Sequence, residues 1–266
     1  MDISIKKRQK YITNKYYVEL EDVYRGEFSR ILVELGRMES GRCNASSHFR
    51  WSLASGGLEL LILNYTAGQP IAELREQFFS VIKNYDDLSQ YRISMGNVIH
   101  LKKDVGSLDI FNIDAYVCVF WLLALCKLFG HDEYLHKVVE WVNCTLEQND
   151  RRDGLLDAVV RQLTTSNIQS PRLLLHPAPY WPLASATICA PEKRPGLVKA
   201  FVDSWYNGMK DAYWYGTHVD GRYFGYWCFE AALVTVLWDI DDSSFRDNPV
   251  YPRDLVAFAR QLPTAS

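Results

Sequence analysis

Val117-Cys-Val-Phe-Trp-Leu-Leu-Ala-Leu-Cys-Lys-Leu-Phe129 is the stretch on which the fold turns. After Ala115 it is apolar on nearly every side of a helix, with Lys127 its one charge, so it reads as the end of a long central helix over 108–129 that is buried all round. Its 13 residues fall short of the ~20 that a membrane span needs. Gly130 follows, a residue that closes helices in the left-handed region. Beyond it Tyr134, Leu135, Val138, Val139 and Val142 begin another helix, and Leu155, Leu156, Val159, Val160 and Leu163 a short one.

The same 3.6-residue period extends in both directions. Val23, Phe28, Ile31, Leu32 and Leu35 form one stripe, ending near Gly36. Trp51, Leu53, Ala54, Leu58, Leu61 and Ile62 form a second, stopping at Ala67-Gly68. Ile71, Leu74, Phe78, Val81 and Ile82 form a third, begun by Pro70. Between 170 and 195 the prolines mark loops and short helix starts. Leu197, Phe201 and Trp205 share a helix face. A polar break from His218 to Arg222 precedes an apolar helix over 225–238, and a last helix follows Tyr251-Pro252. Tyr223–Phe229 is aromatic enough for a strand, but the spacing of Phe229, Leu233 and Leu237 favours helix. The pattern predicts an all-α fold of about nine or ten helices, with an N-terminal helical subdomain (1–130) packed on a larger C-terminal helical domain (131–266).

Composition narrows the function classes. Of 266 residues 48% are hydrophobic and 23% charged, which excludes disorder and low-complexity tracts. Lys+Arg 29 against Asp+Glu 32 leaves a net charge of −3, a poor balance for gripping a phosphate backbone, so no direct nucleic-acid ligand is expected. The densest acidic tract is Asp239, Asp241, Asp242, Asp247 and Asp254, against Arg246 and Arg253. The N-terminus is basic at Lys6, Lys7, Arg8 and Lys10 without an apolar run behind it, so no targeting segment and no membrane partner are expected. The six cysteines form no CxxC pair, and a reducing cytoplasm is the default expectation.

Catalytic motifs are absent: no HExxH, no GxxxxGK[ST], no GxGxxG and no GxSxG. His131-Asp132, with His100 and either Asp157 or Asp203, could ligate a divalent ion as in a metal-dependent phosphohydrolase. A capping role for Asp132 at the start of the next helix explains the same residues more simply. Neither Asp86-Asp87 nor Asp241-Asp242 lies in an evident apolar pocket. No catalytic residue, metal or cofactor is therefore assigned. The aromatic tract Tyr213-Trp214-Tyr215 and Tyr223-Phe224-Gly225-Tyr226-Trp227 suits core packing better than a stacking platform, since only Lys210 and Arg222 supply nearby charge. A helical ligand-binding or adaptor module stays open as the other reading of that tract. Glu230, one turn after Tyr226 and Trp227, is the expected acceptor for their polar ends.

Tyr223-Phe-Gly-Tyr-Trp-Cys-Phe-Glu-Ala-Ala232, followed by Asp241-Asp-Ser-Ser-Phe-Arg-Asp-Asn-Pro-Val-Tyr-Pro-Arg-Asp-Leu255, closely resembles the C-terminal domain of the PoNi family. These are immunity proteins that neutralise PoNe-type DNase toxins of bacterial secretion systems, type VI among them. Trp205-Tyr206, Trp214-Tyr215, Asp153-Gly-Leu-Leu-Asp157, Pro179-Tyr180 with Leu183, and Tyr65-Thr-Ala-Gly68 agree in the same order. Cys228 and Val250 depart from the pattern. The resemblance implies an all-helical, non-enzymatic cytoplasmic protein whose partner is a cognate PoNe-like DNase. It makes Trp205, Tyr206, Tyr226, Trp227, Glu230, Tyr251 and Pro252 a structural signature. Because a DNase presents a cationic groove, the expected toxin contacts are Asp220, Asp239, Asp241, Asp242 and Asp247. Reversing Asp241, Asp242 and Asp247 is expected to slow association and leave the fold intact. Against that stand turn roles for Asp241 or Ser243 and for Asp247-Asn248-Pro249.

Overall fold

Apolar periodicity and helix-stop residues together set the architecture. The computed structural model describes residues 3–38, 43–99, 108–149, 152–164 and 173–263. Among these lie ten α-helices and two short 3-10 helices, and no strand: α1 (Asn14–Arg37), α2 (Cys43–Thr66), α3 (Ile71–Ile99), α4 (Ile113–Phe129), α5 (Leu135–Asn149), α6 (Gly154–Thr164), α7 (Pro177–Ile188), α8 (Arg194–Gly208), α9 (Phe229–Leu237) and α10 (Arg253–Ala259). No described helix is long and apolar enough to cross a membrane. The chain divides into two compact units, 1–107 with 216–225, and 108–215 with 226–266. This differs from the division at 130 expected from the sequence, because α4 packs on α9 and α10 and so goes with the second unit.

In the first unit the Thr13 hydroxyl caps α1 by accepting from the Tyr16 N–H. The buried face of α1 is Tyr17, Leu20, Tyr24 and Ile31, whereas Val23 and Leu32 of the expected stripe are 43% and 60% exposed. The aliphatic stripe missed the tyrosines, which bury their rings once their hydroxyls find partners. Tyr24 donates to Glu59 (2.7 Å). Tyr17 belongs to a closed ring: its hydroxyl donates to Asn64 (3.1 Å), Asn64 to Gln77 (3.0 Å), Gln77 to Gln69 (3.0 Å), and Gln69 back to Tyr17 (2.9 Å).

α2 ends as expected at Gly68, with φ +91°. The Gln69 N–H reaches the Asn64 carbonyl and the Gly68 N–H that of Tyr65, the Schellman pattern. Arg8 finishes this helix end: its backbone N–H bonds the Thr66 carbonyl (2.8 Å) and its guanidinium bonds those of Tyr65 (2.6 Å) and Gln69 (3.1 Å). The basic N-terminal stretch thus supplies a cation where the helix dipole is negative. Residues 216–225, expected as a mere polar break, are anchored on this unit. Arg222 forks onto Glu27 (2.8 and 2.5 Å), the Tyr223 N–H donates to the Tyr16 hydroxyl, and Thr66 donates to the Phe224 carbonyl (2.6 Å).

In the second unit α4 starts at Ile113, five residues later than expected, because the Asn112 side chain caps it through the Asp114 N–H (2.8 Å). From Tyr116 to Phe129 it is buried except at Cys118 and Lys127, and Gly130 ends it at φ +70°. The prolines between 177 and 195 sit largely within helices: Pro177 opens α7, Pro182 lies inside it, and Pro195 falls in the first turn of α8. The expected helix over 225–238 begins only at Phe229, because Gly225 takes φ +132° and the Cys228 N–H is drawn to the Val250 carbonyl (2.8 Å).

Two glycines should respond to alanine with opposite sign. Gly26, inside α1 with open space around it, should gain up to ~1 kcal/mol as Gly26→Ala. Gly68→Ala should lose roughly 1–3 kcal/mol, since it forces a left-handed alanine and drives its Cβ into the Lys6 carbonyl. Urea melts of the two variants check this; a neutral Gly68→Ala would contradict the account of that turn.

Candidate functional site

The second unit contains a carboxylate with no access to water. Glu230, in the first turn of α9, is fully buried. Its Oε1 accepts from the Tyr180 hydroxyl of α7 (2.9 Å) and the Trp205 indole of α8 (3.4 Å). Tyr226 and Trp227, the partners expected from spacing, are both buried. Trp205 stacks on Trp214 at 5.0 Å, and Tyr206 stacks on Tyr215 at 4.6 Å. The polar chain continues away from Glu230. The Tyr180 ring meets that of Tyr116 at 4.9 Å, and Tyr116 donates to the buried Asp153 (2.9 Å). Asp153 also caps α6 through the Leu156 N–H (2.8 Å) and accepts from Leu175 N–H (2.8 Å). Burial pushes the Glu230 carboxyl from its usual 4.5 up to about 7, partly offset by its own backbone N–H and by Tyr180 and Trp205. Burial and these carboxylates hold the Tyr116 and Tyr180 hydroxyls protonated.

The acidic tract is more divided than its sequence suggests. Asp239 occupies the left-handed position that closes α9, at φ +47°, where Ile240 N–H reaches the Thr235 carbonyl. Asp241 is exposed and holds the backbone N–H and hydroxyl of Ser243 (3.0 and 2.9 Å), contacts that lower its pKa. Asp242 is only 2% exposed: Arg260 pairs with one oxygen (3.1 Å), and Tyr251, beside the buried Pro252, donates to the other (3.3 Å). Reversing its charge would bury an unpaired cation against Arg260, so the expectation that this change spares the fold is corrected. Asp247 is exposed and pairs with Arg253 (2.5 Å). Asp220 is exposed and belongs to the first unit.

The residues considered for a metal are spent elsewhere or lie outside the described residues. Asp132 does not cap a helix; it takes the Lys127 ammonium (2.7 Å). His131 faces Glu133 (2.9 Å), Asp157 pairs with Arg152 (2.8 Å), and Asp203 with Lys199 (2.5 Å). His100 lies outside the described residues, among which no group of three His, Cys, Asp or Glu side chains is placed to hold an ion. Cys118, Cys126, Cys189 and Cys228 are thiols, not disulfide-bonded.

Comparison with protein families gives two matches. The family described as PoNe immunity protein (PoNi), N-terminal, matches residues 12–141, and PoNe immunity proteins (PoNi), C-terminal, matches residues 151–255. A search of curated proteins finds no match. Among solved structures, protein PA2201 from Pseudomonas aeruginosa is similar in fold, with a TM-score of 0.62 at 20% identity over 90% of this chain and 88% of that one.

The Glu230 geometry makes a pH prediction. A carboxyl whose pKa rises on folding favours the fold in its protonated form, so this stability is fully present below about 4.5 and is lost as pH climbs through about 7. Glu230→Gln cannot titrate. Between those pH values the wild type should lose stability relative to the variant by on the order of 3 kcal/mol. Parallel stability profiles for the two proteins would refute the assignment.

Proposed function

The chain belongs to the PoNi family of PoNe immunity proteins, and on that premise we propose that it binds a cognate PoNe-type DNase toxin and neutralises it by covering the toxin's cationic active site. The family match across residues 12–141 and 151–255 carries this reading. The protein acts by binding and not by catalysis, in the cytoplasm where the DNA to be protected lies, against a toxin delivered by a bacterial secretion system, type VI in this reading.

Charge distribution supports the mechanism. The second unit has 13 Lys and Arg against 18 Asp and Glu, while the first has 16 against 14. A nuclease must be cationic where it holds a polyanion, so the acidic unit attracts it and speeds encounter. Asp239, Asp241 and Asp247 present carboxylates to solvent, on turns whose backbone is fixed from below by Asp242, Arg260 and Tyr251. The buried signature residues Trp205, Tyr226, Trp227, Glu230, Tyr251 and Pro252, with the half-buried Tyr206, set the scaffold beneath.

Asparagine at positions 239, 241 and 247 removes three charges and keeps the side-chain carbonyl that holds Ser243 at 241. Stopped-flow mixing of this triple variant with purified toxin should show association about tenfold slower at low salt, converging with the wild type at high salt. An unchanged association rate would remove the tract from the interface.

A further inference from the structure

The twelve residues of α7, Pro-Ala-Pro-Tyr-Trp-Pro-Leu-Ala-Ser-Ala-Thr-Ile, contain no charged side chain. One side of the helix is committed inward through Tyr180, Leu183 and Ala186. On the other side Ala178, Trp181, Ser185 and Ile188 recur at spacings of three and four, one continuous stripe. Trp181 is 64% exposed and Ile188 83%. The stripe is less polar than its composition implies, because the Ser185 hydroxyl donates back to the Trp181 carbonyl (2.8 Å) and that of Thr187 to the Ala184 carbonyl (2.8 Å). Both hydroxyls are thus turned onto the helix's own backbone.

The face is also stiff. Pro177, Pro179 and Pro182 fix φ at three of the first six positions, and the hydroxyl of Tyr180, the residue before Trp181, is tied to buried Glu230. An exposed indole on a rigid, uncharged helix has little conformational freedom to lose on binding, the condition under which tryptophan becomes a dominant anchor. The exposed carboxylates of this unit govern encounter, since rim charges act mainly on association rate. A complex that lasts also needs a desolvated apolar centre. α7 supplies one on the same acidic unit that attracts a cationic protein.

We propose that the outward face of α7, centred on Trp181, is the apolar anchor that holds the toxin, its indole entering an uncharged pocket on a cationic nuclease surface. This rests on the toxin-binding reading above. The test is surface plasmon resonance of the full chain against its purified cognate PoNe-type toxin, with Trp181→Ala and Trp181→Phe. Trp181→Ala should weaken binding by about 30-fold or more, chiefly through faster dissociation, while its melting temperature and association rate stay at wild-type values. Trp181→Phe, which keeps an aromatic ring, should lose less. Wild-type dissociation from Trp181→Ala overturns the anchor and leaves the immunity reading standing. A wild type that does not bind the toxin at all overturns that reading and the anchor with it. If sedimentation shows a wild-type dimer that Trp181→Ala converts to monomer, with toxin dissociation unchanged, the face joins two copies of this chain and the proposal falls.

Discussion

Burying a carboxylate is costly unless hydrogen bonds meet it, and Glu230 makes α7, α8 and α9 meet that demand together. Tyr180 and Trp205 can reach its oxygen only if their helices lie at one spacing from α9. The requirement passes on through Tyr116 to Asp153, which fixes α4 and the start of α6. Hydrophobic packing alone tolerates many arrangements of apolar helices. Buried hydrogen bonds inside such a core tolerate few, because a misplaced helix would strand a further donor or acceptor in a dry interior.

The first unit uses the same logic at smaller scale. Four side chains, Tyr17, Asn64, Gln77 and Gln69, close a ring in which each donates once and accepts once. That ring ties α1 to the hairpin of α2 and α3. Arg8 and the Schellman turn at Gly68 then satisfy the carbonyls at the end of α2. The segment 216–225 joins this unit through Arg222 on Glu27 and through Thr66 and Tyr16, although the chain on both sides of it belongs to the other.

These constraints separate scaffold from surface. The aromatic signature, Glu230 and the Asp242–Arg260 pair are buried and define the shape. The carboxylates at 239, 241 and 247 and the indole at 181 instead lie at the surface, outside this buried framework. Neighbouring positions thus serve different ends: Asp241 faces solvent while Asp242 is locked to Arg260.

Local periodicity was enough to place most of the helices, the buried α4, the glycine stops at 68 and 130 and the packing of the aromatic tract, because these depend on residues three or four apart. The motif pattern carried the family. What periodicity missed follows from its short range. It counted Val23 and Leu32 as core because it could not see that Tyr17 and Tyr24 would find Asn64 and Glu59. It pointed to Tyr226 and Trp227 for Glu230 and could not see Tyr180 and Trp205, donors 50 and 25 residues away. Only tertiary packing, which chooses partners across such separations, decided that Asp242 goes inside, that 216–225 belongs to the first unit and that Trp181 stays out.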